Sequence, residues 1–364
     1  MRVAVLGVGL IGGSIGLAAR RRLGAEVVGF DPSAETLERA LELGALDEVA
    51  DSPASAASGA EAVFCAAPVA ALPALVADAI AASGPGAVVT DVGSTKQALL
   101  AEVAGLDGHE RFIGGHPLAG AETAGVEGSR EDLFEGARWY LTPDQRSEGL
   151  LYDRLHGLLA GIGARPQAID AATHDREMAA ISHLPHVLAN VLVSAASPGE
   201  ETRERAAEVG RSFRDATRVA GANPLIWADI YSSNSEAVAE EIDAAIERLR
   251  EAAELVRSGD RDALGAWQAT ARENRRRVLE ADLASAPLLE LRVAVENRPG
   301  TVAEIALALG RAGVNIEDMG LFPASDQRTG AISLWIGGRG EAERAAEIVA
   351  GLGHKVAPIP PAES

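Results

Sequence analysis

The spacing of apolar and polar positions changes twice along the chain. From residue 1 to about residue 170, short apolar runs alternate with helical segments, a pattern that predicts a parallel sheet covered by helices. From residue 171 to 285 the strand signals stop and apolar residues recur at helical spacing, which predicts an all-helical block. The strands predicted for the first region are residues 3–6, 26–30, 62–66, 87–90, 112–114, 139–142 and 167–169.

A third pattern begins near residue 286. Every second residue over 289–295 is apolar, which is typical of a half-buried strand. The order βαββαβ then predicts a ferredoxin-like α+β unit over 286–358, and the proline-rich residues 359–364 are predicted to fray. The elements predicted after the first strand are a helix at 302–309, strands at 314–319 and 331–336, a helix at 341–352 and a short strand at 355–356.

The amino-acid composition limits which binding partners and which cellular location are expected. The chain has 364 residues, 47% of them hydrophobic, which is enough for two or three folded domains. Its formal net charge of −20 repels phosphate backbones and anionic headgroups, so neither nucleic acid nor a membrane is an expected partner. The longest uncharged stretch, residues 62–77, carries two prolines and is too weakly apolar to span a bilayer. A single cysteine, Cys65, excludes an internal disulfide, and a reducing cytoplasm is the expected location.

The first predicted strand runs into a glycine-rich turn, GxGxxG, that opens a helical segment. Such a turn lets a pyrophosphate approach the backbone at a helix N-terminus. Asp31 follows 19 residues after Gly12, where a carboxylate would bind the adenine ribose and repel the additional phosphate of NADP, so NAD is the predicted cofactor. The alternative is that the glycines form only a tight turn and Asp31 caps the next helix. The residues that this pattern assigns to the cofactor are Gly7, Gly9, Leu10, Ile11, Gly12 and Asp31.

Four further segments combine polar residues with apolar surroundings: residues 91–96, 114–120, 181–186 and 213–218. The first two follow predicted strands, where ligands bind in open α/β sheets. The second segment contains His116, whose neutral imidazole can accept a proton near neutral pH. The fourth contains Arg218, whose planar guanidinium can hold a carboxylate through two hydrogen bonds. No metal site is predicted, because His183 and His186 lack a nearby third ligand.

The letters of these segments, DVGSTK, GGHPLAG, ISHLPH and FRDATR, followed by Trp227 and Asn234, resemble the prephenate dehydrogenase family of tyrosine biosynthesis. The resemblance covers about the first 285 residues. It implies a Rossmann-type NAD domain over 1–170 and a helical substrate and dimerisation domain over 171–285. It also implies an enzyme that converts prephenate and NAD to 4-hydroxyphenylpyruvate, CO2 and NADH. Some members prefer arogenate, and the sequence leaves that choice open.

The resemblance also implies roles for residues around the substrate. His116 would act as the general base that accepts the proton of the reacting hydroxyl. Ser94 would hydrogen-bond the same hydroxyl or hold His116 and the nicotinamide in place. Arg218 would hold the ring carboxylate, and Glu122 matches an acidic position that gates or tunes the pocket. The remaining substrate-binding predictions are His183 or His186 near the substrate side chain, Asp215 orienting a neighbour, and Trp227, which core packing would explain equally well.

Residues 295–301 and 313–316 resemble the ACT domain, a regulatory fold that binds amino acids where two copies pair. Tyrosine, the pathway product, is the expected effector, and the alternative is a unit that only pairs subunits. Because an ACT unit and an exposed helical block both tend to pair, at least a homodimer is expected. The residues implied for the effector site are Asn297, Gly300, Thr301 and Asn315.

Two other functions compete with this interpretation. The β-hydroxyacid dehydrogenases share an NAD domain followed by helices but rely on a lysine in the helical part. Here the two lysines are Lys96 and Lys355, and both lie outside that block. A non-enzymatic sensor of NAD and an amino acid would use the same two ligand-binding folds, but it leaves Ser94, His116 and Arg218 unexplained.

Overall fold

The computed structural model describes residues 1–119, 125–144, 146–196, 210–282, 288–296, 301, 304–305, 308–309, 312, 314, 316, 318–324 and 329–357. Four of the predicted site residues lie outside the described residues: Glu122, Asn297, Gly300 and Asn315. The chain divides into two compact units, Met1–Arg248 and Leu249–Ser364.

A single eight-stranded sheet forms the centre of the first unit. Its strands are β1 (Arg2–Leu6), β2 (Glu26–Phe30), β3 (Glu48–Val49), β4 (Ala62–Cys65), β5 (Val88–Asp91), β6 (Phe112–Pro117), β7 (Arg138–Thr142) and β8 (Arg165–Ala168). Their order is β3-β2-β1-β4-β5-β6-β7-β8, which begins with the strand order of dinucleotide-binding sheets. All seven predicted strands are present. The sequence pattern missed β3, because two residues show no periodicity.

The expectation of a purely parallel sheet is wrong at one place. Strands β6 and β7 pair antiparallel, with His116 opposite Tyr140, whereas the other neighbours pair parallel. A parallel pair needs a crossover connection, usually a helix. In its described part, the connection 118–137 contains only a three-residue 3-10 helix, Val126–Gly128, so β7 returns beside β6 in the opposite direction.

Helices cover both faces of this sheet. Along β1, Val3 and Val5 belong to one hydrophobic cluster, while Ala4 and Leu6 belong to the other. Because side chains alternate between the faces of a strand, both faces are buried, as parallel sheets require. The helices are α1 (Leu10–Leu23), α2 (Ala34–Glu42), α3 (Pro53–Ala57), α4 (Leu72–Ala82), α5 (Gln97–Val103) and α6 (Gly149–Gly161).

The predicted helical block is confirmed in its described residues, 171–196 and 210–282. One turn of π-helix, Ala179–His183, joins α7 directly to α8, and such turns occur often at functional sites. The helices are α7 (Ala171–Met178), α8 (Leu184–Ala196), α9 (Arg211–Thr217), α10 (Pro224–Ser233), α11 (Ser235–Ser258) and α12 (Arg261–Asp282).

The run Ala171–Ala196, with a mean hydropathy of 1.4, is long and apolar enough to cross a membrane by length and composition alone. Its first turns belong to the interior of the first unit, because His174 and Asp175 are buried and bonded to residues of the sheet domain. Its exposed apolar side chains include Ile181, Val191 and Leu192.

The second unit contains a four-stranded antiparallel sheet in the order β10-β11-β9-β12, with β9 (Leu288–Glu296), β10 (Asp318–Pro323), β11 (Thr329–Gly337) and β12 (Lys355–Val356). Helix α13 (Arg339–Gly351) buries Ala342, Ala345 and Val349 in the core of this unit. The strand predicted at 314–319 is wrong in position, because Val314 and Ile316 pack into the core before the strand begins.

Candidate active site

The glycine-rich turn after β1 is shaped by contacts that leave no room for side chains. Gly7 has a φ of +97°, and a Cβ there would overlap the carbonyl oxygen of Ala66. A Cβ on Gly12 would overlap the carbonyl oxygen of Gly7. A Cβ on Gly9 would meet nothing within 4 Å, so this backbone faces open space at the start of α1. A phosphate could therefore approach the helix N-terminus at Gly9.

Asp31 closes this turn and lines the adjoining cavity. Its two carboxylate oxygens accept hydrogen bonds from the Val8 amide (2.9 Å) and the Ser33 amide (3.0 Å). Ser33 itself caps α2 by accepting from the Thr36 amide, so Asp31 is not the helix cap that the alternative required. The cavity of about 470 Å³ is bordered by Gly7, Gly9 and Asp31 among others. These residues fit an adenine dinucleotide.

A buried ion pair fixes the backbone that carries His116. Lys96 is fully buried and pairs with Asp91 at the end of β5. The peptide unit of Gly115 is held from both sides, because its N–H donates to Asp91 Oδ1 (3.0 Å) and its carbonyl accepts from Lys96 Nζ (2.8 Å). Burial lowers the pKa of Lys96, and the charge of Asp91 opposes that shift. The pair holds His116 in a fixed position at the end of β6.

His116 is the first member of a chain of three side chains. Its Nδ1 lies 2.9 Å from Nε2 of His174, and Nδ1 of His174 lies 2.8 Å from Oδ1 of Asp175. Both partners come from α7 and are buried. Burial lowers the pKa of His116 well below 6.5, and His174 and Lys96 lower it further. His116 is therefore neutral at pH 7, the form that can accept a proton.

A second histidine is tied to the same aspartate through Asn234. The Asn234 amide nitrogen lies 2.8 Å from the backbone carbonyl oxygen of Asp175 and 3.3 Å from Nδ1 of His183. His183, at the end of the π-helical turn, is buried, and burial lowers its pKa to about 4. It is therefore neutral at pH 7.

An aromatic and cationic group adjoins His183. Trp227 of α10 contacts the edge of His183 at a ring distance of 6.0 Å and stacks on His186 at 3.4 Å. Burial lowers the pKa of His186, and the charge of Arg218 lowers it further, so Arg218 is close to this stack. The structure thus brings four of the predicted substrate residues together: His183, His186, Trp227 and Arg218.

Two family models match consecutive parts of the chain. Residues 15–167 match the nucleotide-binding domain of prephenate dehydrogenase, and residues 170–270 match its dimerization domain. A prephenate dehydrogenase of Bacillus subtilis is 32% identical over 91% of this chain and 91% of its own length. The chain belongs to the prephenate dehydrogenase family.

Solved structures of this family agree with the fold. The prephenate dehydrogenase of A. aeolicus, crystallised with hydroxyphenyl propionate and NAD+, is 28% identical, with a TM-score of 0.70 over 76% of this chain and 97% of that one. The Synechocystis arogenate dehydrogenase is 27% identical, with a TM-score of 0.66 over 76% of this chain and all of that one. The membership excludes the β-hydroxyacid dehydrogenase alternative.

Two predicted residues make no hydrogen bond to His116, His174 or Asp175 in the part of the chain that the structure describes. Ser94 is half-buried just after β5, and among the described residues its hydroxyl has no hydrogen-bond partner. Asp215 is exposed on α9 and faces Arg211, with 3.6 Å between Oδ2 and Nε. A role for Asp215 in orienting a substrate-binding neighbour stays a prediction.

The sequence argument missed Asp91, His174 and Asp175, which hold His116 and the backbone beside it. The signal available was a short stretch, 171–183, that carries His174, Asp175 and His183 without any metal-ligand spacing. Among the residues that the structure describes, no group of three His, Cys, Asp or Glu could hold a metal ion.

Proposed function

We propose that the chain is a prephenate dehydrogenase that oxidatively decarboxylates prephenate to 4-hydroxyphenylpyruvate, with reduction of NAD. The observation that carries this proposal is a neutral histidine, His116, held by His174 and Asp175 at the end of β6, in the same sheet whose β1 leads into the dinucleotide-binding turn. NAD bound along that turn supplies the hydride acceptor. A sensor protein would have no need of such a proton acceptor.

The residues of the chain divide the remaining tasks. Nε2 of His116 accepts the proton of the ring hydroxyl as the adjacent carbon loses its hydride. The ring carboxylate leaves as CO2, its bonding electrons complete the aromatic ring, and the proton returns from His116 to the oxygen. No net proton is released, so one histidine suffices for the whole step. Arg218 supplies the local positive charge that a protein of net charge −20 needs to bind a dianion.

Arogenate is the second candidate substrate, because the Synechocystis relative of similar fold is an arogenate dehydrogenase. Initial rates of NADH formation should be measured with prephenate and with arogenate, each with NAD and with NADP. The highest kcat/KM is expected with prephenate and NAD. Preference for arogenate would keep the mechanism and change the substrate, whereas no turnover with either substrate would contradict the proposed enzyme.

The charge of Asp31 should set the choice of cofactor. Asp31→Asn keeps an acceptor oxygen for the turn but removes the charge that repels an additional phosphate. We expect the ratio of kcat/KM with NAD to kcat/KM with NADP to fall by roughly tenfold or more, as loss of a close charge repulsion implies. Asp51→Asn, at an exposed position, is the matched control. An unchanged ratio in Asp31→Asn would show that Asp31 does not face the ribose.

The lowered pKa of His116 predicts the acid side of the pH profile. A group whose pKa lies below 6.5 stays neutral, and able to accept a proton, as the pH falls through 6.5. The value of kcat/KM should therefore be retained at pH 6.5 and fall only at lower pH. Measuring kcat/KM from pH 5 to 9 checks this, and an acid limb centred at or above 6.5 would contradict it.

We further propose that the C-terminal unit is an ACT domain that binds tyrosine. Its support is the antiparallel order β10-β11-β9-β12 packed on α13, and the buried Thr301, whose hydroxyl donates to the carbonyl of Glu296 (3.3 Å). Isothermal titration with tyrosine should show saturable binding, and activity should fall at millimolar tyrosine. Absence of both effects would leave only the alternative that this unit pairs subunits.

We also propose a cytoplasmic homodimer formed through the helical block. The exposed apolar side chains of α8, with 57% of Val191 and 44% of Leu192 accessible, lie in the segment that matches a dimerization domain. Burying them against a second copy would remove apolar surface from water. Val191→Asp should shift the mass in sedimentation experiments from dimer to monomer, while Glu35→Gln, at an exposed position on α2, should not.

A further inference from the structure

Asp175 acts only as a hydrogen-bond acceptor. Oδ1 accepts from the Lys96 amide (2.8 Å) and faces Nδ1 of His174 (2.8 Å), and Oδ2 accepts from the Gln97 amide (2.8 Å). Because two backbone N–H groups already donate to this carboxylate, the ring nitrogen of His174 that faces it must also donate. His174 therefore carries a proton on Nδ1.

The proton on His174 determines the proton on His116. With its proton on Nδ1, His174 can accept a hydrogen bond at Nε2, which faces Nδ1 of His116 at 2.9 Å. That contact is a hydrogen bond only if Nδ1 of His116 donates. His116 then has a bare Nε2, the atom that accepts a proton from substrate. Within the described residues, this Nε2 has no hydrogen-bond partner.

The backbone of Asp175 imposes the opposite arrangement on His183. The Asn234 side chain must direct its N–H groups toward the Asp175 carbonyl oxygen (2.8 Å), because its own oxygen would be repelled there. The same amide nitrogen then has a second hydrogen for Nδ1 of His183 at 3.3 Å. His183 accepts at Nδ1, is neutral, and carries its proton on Nε2.

We propose that Asp175 sets opposite tautomers on the two active-site histidines, so that His116 presents a proton acceptor and His183 presents a proton donor. The inference rests on the proposed function for its catalytic meaning. His116 would take the hydroxyl proton, while Nε2–H of His183 would donate to an oxygen of the bound acid. His174, Asp175 and Asn234 are positioning residues, since they act through the two histidines.

The direct test reads the tautomers without turnover. The protein is labelled with 15N-histidine, and the ring nitrogens are observed by long-range 1H–15N NMR at pH 7.5. His116→Gln and His183→Gln, each lacking one set of signals, assign the spectrum. We expect a proton on Nδ1 of His116 and a proton on Nε2 of His183 in the wild-type protein. The reverse state on either histidine would overturn the proposal.

Variants of His174 test how its contacts with His116 and Asp175 affect catalysis. His174→Gln keeps an amide N–H for Asp175 and an oxygen for His116, whereas His174→Ala removes both. We expect kcat to fall by on the order of 10²-fold in His174→Ala and to recover at least tenfold in His174→Gln. Arg176→Ala, exposed on the same helix, is the control. Equal kcat in His174→Gln and His174→Ala, with both folded by circular dichroism, would contradict the proposal.

Asn234→Ala removes the side chain that links Asp175 to His183, and it leaves the contacts of Asp175 with His174 and of His174 with His116 in place. This variant should raise KM for the substrate by roughly tenfold, because Nε2–H of His183 would no longer be held for its hydrogen bond to the charged substrate. The effect on kcat should be smaller. The His116 tautomer should stay unchanged in its NMR spectrum. A changed His116 tautomer, or a loss confined to kcat, would contradict the proposal that separate contacts set the tautomers of His116 and His183. Failure to turn over prephenate and arogenate would overturn the proposed function but would leave the measured tautomers intact.

Discussion

Replacement of His116 by alanine is expected to lower kcat by on the order of 10²-fold or more, the scale of general base catalysis. His116 is the half-buried imidazole at the end of β6, in the sheet whose β1 leads into the dinucleotide-binding turn. Its backbone is fixed by the bonds of Gly115 to Asp91 and Lys96. Without the imidazole of His116, the hydroxyl group on the substrate ring has no proton acceptor, while the cofactor site is unchanged.

The measurement is steady-state kinetics of His116→Ala together with its affinity for NAD. His156→Ala, an exposed histidine on α6, is the matched control and should keep wild-type kinetics. NAD affinity should be the same in all three proteins. A wild-type kcat in His116→Ala would remove this histidine from the mechanism.

Replacement of Arg218 by alanine is expected to raise KM for prephenate by roughly 10- to 100-fold. Charge-assisted hydrogen bonds contribute about 1.5–3 kcal/mol each, and each 1.4 kcal/mol changes an equilibrium constant about tenfold. Arg218 lies close enough to His186 to lower its pKa, so its guanidinium belongs to the group around Trp227. A dianionic substrate needs such a cation in a protein of net charge −20.

Two variants make this test specific. Arg218→Lys keeps the charge but loses the planar fork, so its KM should lie between those of the wild type and Arg218→Ala. Arg214→Ala, exposed on α9, should have little effect. A loss of NAD affinity in Arg218→Ala, with KM for prephenate unchanged, would show that Arg218 serves the cofactor instead.

The sequence was sufficient to predict those features that depend only on residues near one another along the chain. The strands of the sheet, the glycine turn and the helical block follow from the spacing of apolar residues and from glycine, and the structure confirms them in its described residues. The direction of β7 was not predictable, because the strand pattern is the same for parallel and antiparallel pairing. The two-residue β3 is too short to have any pattern.

The arrangement of the site depends on contacts between distant segments. His116 and His174 are 58 positions apart, and Asp175 and Asn234 are 59 apart. No local sequence signal shows that α7 of the helical block places a hydrogen-bond acceptor at the end of β6 in the sheet. Resemblance to a family named His116, His183 and Arg218, whereas His174 and Asp175 emerged only from the geometry.

The central claim is tested most directly by the products of one reaction. Purified protein is incubated with prephenate and NAD, and NADH, CO2 and 4-hydroxyphenylpyruvate are quantified in the same sample. The account predicts equal amounts of all three and none of them in a sample without protein. NADH without CO2, or no NADH with either prephenate or arogenate, would contradict it.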